Sequence, residues 1–97
     1  MGQRWGSLGN IYFNVRNLEQ SLFHYCKAIH YYEMIGNVYY AGTTRFNITL
    51  TLVSFNRLPD ALEYARAALR NFQSFPQGAE ENIKKTEGLI EEILKGM

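Results

Sequence analysis

Cys26, His30 and Glu33 come nearest to a chemical constellation, because they share one face of any helix that carries them. A thiol, an imidazole and a carboxylate are a partial ligand set for a transition metal. Three donors on one helix do not usually close a tetrahedron without a second element, so the set makes no metal site alone. His24 and His30 are six residues apart and project in widely different directions. Lys27 adjoins Cys26 but points elsewhere on a helix. With no positive charge brought to its thiol, Cys26 reads as a small packed residue. The chain has no glycine-rich phosphate loop and no nucleophile motif. The expectation is a protein that is not an enzyme, with no catalytic residues, no metal and no cofactor.

The elements that must position these residues are amphipathic helices. Trp5-x-x-Leu8-Gly9-x-x-Tyr12 forms one stripe at i, i+3, i+4 and i+7, and Ser21 and Ala28 flank Tyr25 as a small matching surface. The first stripe predicts a helix over 3–15. Asn17, with Gln20 as its capping-box partner, predicts the start of a second helix through Leu18, Leu22, Tyr25, Ile29 and Tyr32, ending near Gly36-Asn37. The pattern then repeats. Leu18, Ser21, Leu22, Ala28, Ile29 and Tyr32 recur as Leu58, Ala61, Leu62, Ala68, Leu69 and Phe72, all at an offset of 40. Leu8 and Tyr12 recur at the same offset as Ile48 and Leu52. Arg45 replaces Trp5 and Thr49 replaces Gly9, which predicts an arginine stem along the core edge, its head in water, and a looser closest contact. Pro59 suits a first helical turn, and Phe75-Pro76 ends that helix.

A last helix over 77–95 carries the stripe Ala79, Ile83, Thr86, Ile90, Ile93 and Leu94. Its outer face offers Glu80–Lys84, Glu81–Lys85 and Glu91–Lys95 as i,i+4 pairs, the surface a terminal cap needs. Tyr31, Tyr32, Tyr39 and Tyr40 gather at the Gly36-Asn37 corner, where they are expected to fill its wider end.

With Trp5, Leu8, Gly9, Tyr12 and Ala28 in place, Ser21 for an Ala and Tyr25 for a Phe, the chain resembles the tetratricopeptide repeat family. Glu33 stands where that family has its final Pro, and the period of 40 is similar to its long-repeat branch. The resemblance implies an all-α, right-handed stack of two antiparallel helical hairpins with a C-terminal capping helix. It would form one domain over 1–97, with repeat one at 2–36, repeat two at 37–75 and the cap at 77–95. It also implies a non-catalytic interaction module that takes a protein or peptide ligand in its concave groove. By repeat position that groove would hold Asn10 and Phe13, then Phe46, Asn47, Leu50 and Val53. The carboxylate clamp of some family members is not expected. Asn10 and Asn47 fall on its two Asn positions, but Gly6 replaces its Lys, and neutral amides hold carboxylates weakly. The remaining apolar groove suits an amphipathic helix or an extended apolar peptide. Alternatively, these residues are covered by the last helix or by a second copy.

A chain of 97 residues makes one small domain. The net charge of +1 is dispersed, which leaves no electrostatic footprint for nucleic acid. No apolar run approaches the roughly 18–20 residues of a membrane span, so no membrane partner is expected. The single cysteine excludes an intrachain disulfide and agrees with a reducing, cytoplasmic setting. Two repeats are fewer than the roughly three that stacking usually requires. A homodimer, or a place within a longer scaffold or peptide-sensor protein, is the second expectation.

Overall fold

The computed structural model describes residues 18–75 and 77–97. They form α1 (Leu18–Met34), α2 (Val38–Ser54), α3 (Leu58–Ser74) and α4 (Glu80–Gly96), and no strand occurs among the described residues. The helix expected over 3–15, the Trp5–Tyr12 stripe and the Asn17 cap lie outside the described residues. No helix among the described residues is long and apolar enough to cross a membrane.

Each helix has 17 residues, and three-residue connections place the first three starts at 18, 38 and 58. Two alike corners explain this spacing. Gly36 takes φ +72°, and the Asn37 N–H donates to the Tyr32 carbonyl at 2.8 Å while the Gly36 N–H reaches Glu33 at 3.1 Å. This pairing satisfies carbonyls that a helix end leaves open. Twenty residues on, Asn56 takes φ 59°, with Arg57 N–H to Leu52 at 2.8 Å and Asn56 N–H to Val53 at 2.9 Å. Asparagine tolerates this left-handed position better than most residues. Asn37 then caps α2 by accepting the Tyr40 N–H at 3.0 Å. Pro59 sits in the first turn of α3, as expected, where its missing N–H has no intrahelical partner to lose.

The period of 40 is legible in burial. Ser21 and Ala61, and Ala28 and Ala68, are fully enclosed, while Tyr32 and Phe72 are both buried. Leu18, Leu22, Leu58 and Leu62 all pack partly buried against the main core cluster. That cluster draws Tyr25 and Ile29 from α1, Ile48 and Leu52 from α2, Ala61 and Ala65 from α3, and Ile93 from α4. Each helix packs against the next in chain order.

Two readings need correction. Arg45 does not hold its head in water: its side chain is only 19% exposed, with Nη1 donating to Asn71 Oδ1 at 2.6 Å and Nη2 to Glu33 Oε2 at 2.8 Å. It ties α1, α2 and α3 together. Thr49 is fully buried and donates to the Arg45 carbonyl at 2.9 Å, while Gly9, its counterpart in the first copy, lies outside the described residues. The tight approach of α2 to α3 occurs at Gly42, where a Cβ would lie 2.9 Å from Asn71 Cβ and 3.0 Å from Phe72 Cε1. Finally, α4 begins at Glu80 rather than 77, because Gly78 holds φ +90° before Ala79 caps the helix. Its stripe drifts toward Leu89, which packs partly buried on the core, and leaves Leu94 exposed. Of its three acid–base pairs, Glu81–Lys85 closes to 3.9 Å.

Candidate functional site

The expected groove residues that fall within the described structure all lie on α2. Phe46, Leu50 and Val53 follow at steps of four and three, which aligns them on one side of the helix. They differ in burial. Phe46 packs partly buried beside Ala68, Phe72 and Ala79, so α3 and α4 already take up part of its ring. Val53 packs partly buried against the main core. Leu50 between them is 47% exposed in mid-helix. Asn47 is half-buried, and its carbonyl accepts from the Thr51 hydroxyl at 2.9 Å. Asn10 and Phe13 lie outside the described residues. The strip is therefore one exposed leucine flanked by two partly covered apolar side chains.

The tyrosine corner is built as a chain of edge-to-face and tilted ring contacts. Ring centroids are 5.8 Å apart for Tyr31–Tyr32, 5.3 Å for Tyr32–Tyr40 and 5.9 Å for Tyr39–Tyr40. Tyr39 extends the chain to Phe72 at 5.7 Å and Phe75 at 5.1 Å, and its hydroxyl donates to Asn82 Oδ1 at 3.1 Å. Such ring pairs add to area burial, and they lock the connection between α1 and α2 onto α3 and α4. Tyr32 is buried, Tyr31 and Tyr39 are half-buried, and Tyr40 is exposed.

Of the residues first read for chemistry, His24 is buried, with its ring 5.3 Å from Phe23, whereas His30 is exposed. Glu33 is engaged by Arg45. Among the described residues, no group of three His, Cys, Asp or Glu could hold a metal ion. Cys26 corrects the reading of a packed thiol: it is exposed. It lies at the flank of α1, next to the buried Tyr25, and faces Tyr64 of α3. Lys27 does point away, with Nζ 5.0 Å from the Phe23 ring centre.

Three tyrosines hold their protons more tightly than the ordinary value of 10.0. Burial is the main cause in each. A hydrogen bond with Thr51 opposes it at Tyr25, and Tyr40 and Tyr31 reinforce it at Tyr32. At Tyr64, Cys26 reinforces it by charge and hydrogen bond, and Arg45 opposes it. Because these values are raised in the fold, the stability they contribute is complete below pH 10.0 and is lost as pH rises through the folded-state values. The melting temperature should hold steady to about pH 9 and then fall, with tyrosinate absorbance appearing late. Ordinary titration of all tyrosines in the folded state would contradict this packing.

Comparison of the chain with protein families, with curated proteins and with solved structures found no match.

Proposed function

We propose that the protein is a non-catalytic interaction module of tetratricopeptide type, in which the outer strip of α2 binds a protein or peptide partner. The observation that carries this reading is Leu50, 47% exposed in the middle of a helix that encloses its near neighbours Ile48 and Leu52. Phe46 and Val53 extend the apolar line on either side, and Asn47 adds an amide that can hydrogen-bond a peptide backbone. An amphipathic helix or an extended apolar segment matches such a strip.

Leu50→Glu should abolish partner capture and move stability by no more than about 0.5 kcal/mol, since the residue is exposed. Immobilised wild type and variant, exposed to the same native lysate and compared by mass spectrometry, check this. Retention of the same partners by the variant would remove the strip from the site.

Self-association is the second reading. It is favoured by Leu94 and Met97, which remain 49% and 59% exposed at the end of α4, and by Phe23 at 54% on α1. Sedimentation at several concentrations separates the two, because a strict monomer down to micromolar levels leaves only the partner reading.

A further inference from the structure

The outward face of α4 carries an ordered charge pattern centred on Gly88, the middle residue of its 17. Glu81, Lys84, Lys85, Glu91, Glu92 and Lys95 stand three, four or seven residues from Gly88. At about 100° per residue, all six lie within about 60° of it around the helix. All seven positions are exposed, while the same helix buries Thr86 and Ile93.

From Glu81 to Lys95 the signs run negative, positive, positive, then Gly88, then negative, negative, positive. Reversed, the series has the opposite sign at every charged position. An antiparallel copy of the stripe, related by a two-fold axis beside Gly88, therefore meets it with opposite charge throughout. The Lys84–Lys85 doublet faces Glu91 and Glu92 of the second copy, and Glu81 faces its Lys95. A parallel copy in register sets like charge against like, so the orientation is selected as well.

Gly88 has no structural role within one chain. A Cβ there would meet nothing within 4 Å, and the backbone is not in the left-handed region that favours glycine. Alone it only weakens the helix, since glycine is the poorest helix former after proline. At the centre of a self-paired face it lets two backbones approach closely, so that the flanking Lys and Glu side chains can bridge. Lys84, Glu91, Glu92 and Lys95 form no ion pair among the described residues, and Glu81–Lys85 is long at 3.9 Å. Little pairing within the chain is given up when these charges engage a second copy.

We propose that the Glu81–Lys95 face of α4 binds a second copy of this chain in antiparallel orientation, forming a two-fold dimer. This rests on the self-association reading and gives it a face distinct from Leu94 and Met97. No residue of the Leu50 strip takes part. One helix pair is a small polar interface, and interfaces below about 1,200 Å² are weak and transient. The dissociation constant should be about 10 μM in about 50 mM salt and at least about ten-fold weaker in about 500 mM.

Sedimentation of the full chain over a concentration series tests this. Lys84→Glu/Lys85→Glu and Glu91→Lys/Glu92→Lys should each weaken the dimer about ten-fold or more, because like doublets then face one another. Mixed in equal amounts, the two variants should form a heterodimer about as tight as the wild-type dimer, since opposite doublets meet again. Misfolded variants would not recover it. Gly88→Leu should also weaken the dimer about ten-fold while raising the melting temperature, because leucine is the better helix former. A wild type that stays monomeric throughout overturns both this proposal and the self-association reading. A dimer indifferent to salt, or to both doublet reversals, overturns the α4 face and leaves self-association to Leu94, Met97 or Phe23. Reversed variants that fail to recombine, or a Gly88→Leu dimer of unchanged affinity, overturn the antiparallel pairing.

Discussion

Phe72→Ala should destabilise the fold by about 3–5 kcal/mol, the largest loss expected for any single truncation here. The ring is 1% exposed and packs with Ala68 and Ala79. Its edge meets Tyr39 at 5.7 Å, and its Cε1 lies 3.0 Å from where a Cβ on Gly42 would stand. One side chain therefore joins α2, α3 and the start of α4. Removing it takes away the transfer free energy of the ring and leaves a cavity that three helices cannot easily close. Small domains have total stabilities of about 5–15 kcal/mol, so the variant would retain a fraction of its folding free energy. Urea denaturation followed by circular dichroism measures the loss. A variant that unfolds at the wild-type midpoint would mean that Phe72 is not in the core and does not correspond to Tyr32.

Ala68→Leu tests the other half of the packing, the need for small side chains. Ala61, Ala65 and Ala68 are each 0% exposed, and together they form a flat seam along α3 at steps of four and three. Alanine and leucine have nearly equal helix propensities, so the substitution leaves the helix itself almost unaffected. The added methylenes must instead push neighbours out of their rotamers or move α3, at a cost of about 1–3 kcal/mol. In a domain of this size that corresponds to a melting temperature lower by roughly 4–8 °C per kcal/mol. Ala67→Leu, one residue earlier on a half-exposed position, is the control and should stay within about 0.5 kcal/mol. An unchanged melting temperature for Ala68→Leu would put that residue at the surface. The correspondence with Ala28 would then fail.

Local chemistry made much of the fold legible in the sequence. Gly36-Asn37, Asn56 with Pro59, and Phe75-Pro76 act through their own backbone preferences, and each marks a helix boundary in the described structure. The offset of 40 was readable because burial repeats with it, from Ser21 and Ala61 through Tyr32 and Phe72. What the sequence left hidden depends on distant partners or on helix rotation. The Arg45 head finds Glu33 and Asn71, which are 12 and 26 residues away, and no local signal pairs them. Cys26 is exposed because the buried stripe of α1 runs through Tyr25, Ala28 and Ile29 and leaves position 26 on its flank. Gly42 breaks no helix and carries no motif, so only the approach of α3 gives it a role. Leu94 belongs to an apolar pattern that the last turn of α4 rotates off the core.

The candidate strip was legible only in part. Repeat position under the family resemblance grouped Phe46, Asn47, Leu50 and Val53, but their degree of cover depends on how α3 and α4 pack. The sequence cannot separate a bare Leu50 from a half-covered Phe46.

The claim that α2 presents a docking strip is most directly tested by placing a photo-crosslinking amino acid at position 50, with a second variant carrying it at the exposed Glu87 of α4 as a comparison. Irradiation in native lysate should give a discrete adduct from position 50, absent from position 87, with a mass that exceeds the chain by something other than a second copy of itself. Equal labelling from both positions, no adduct from position 50, or an adduct of twice the chain mass would contradict it.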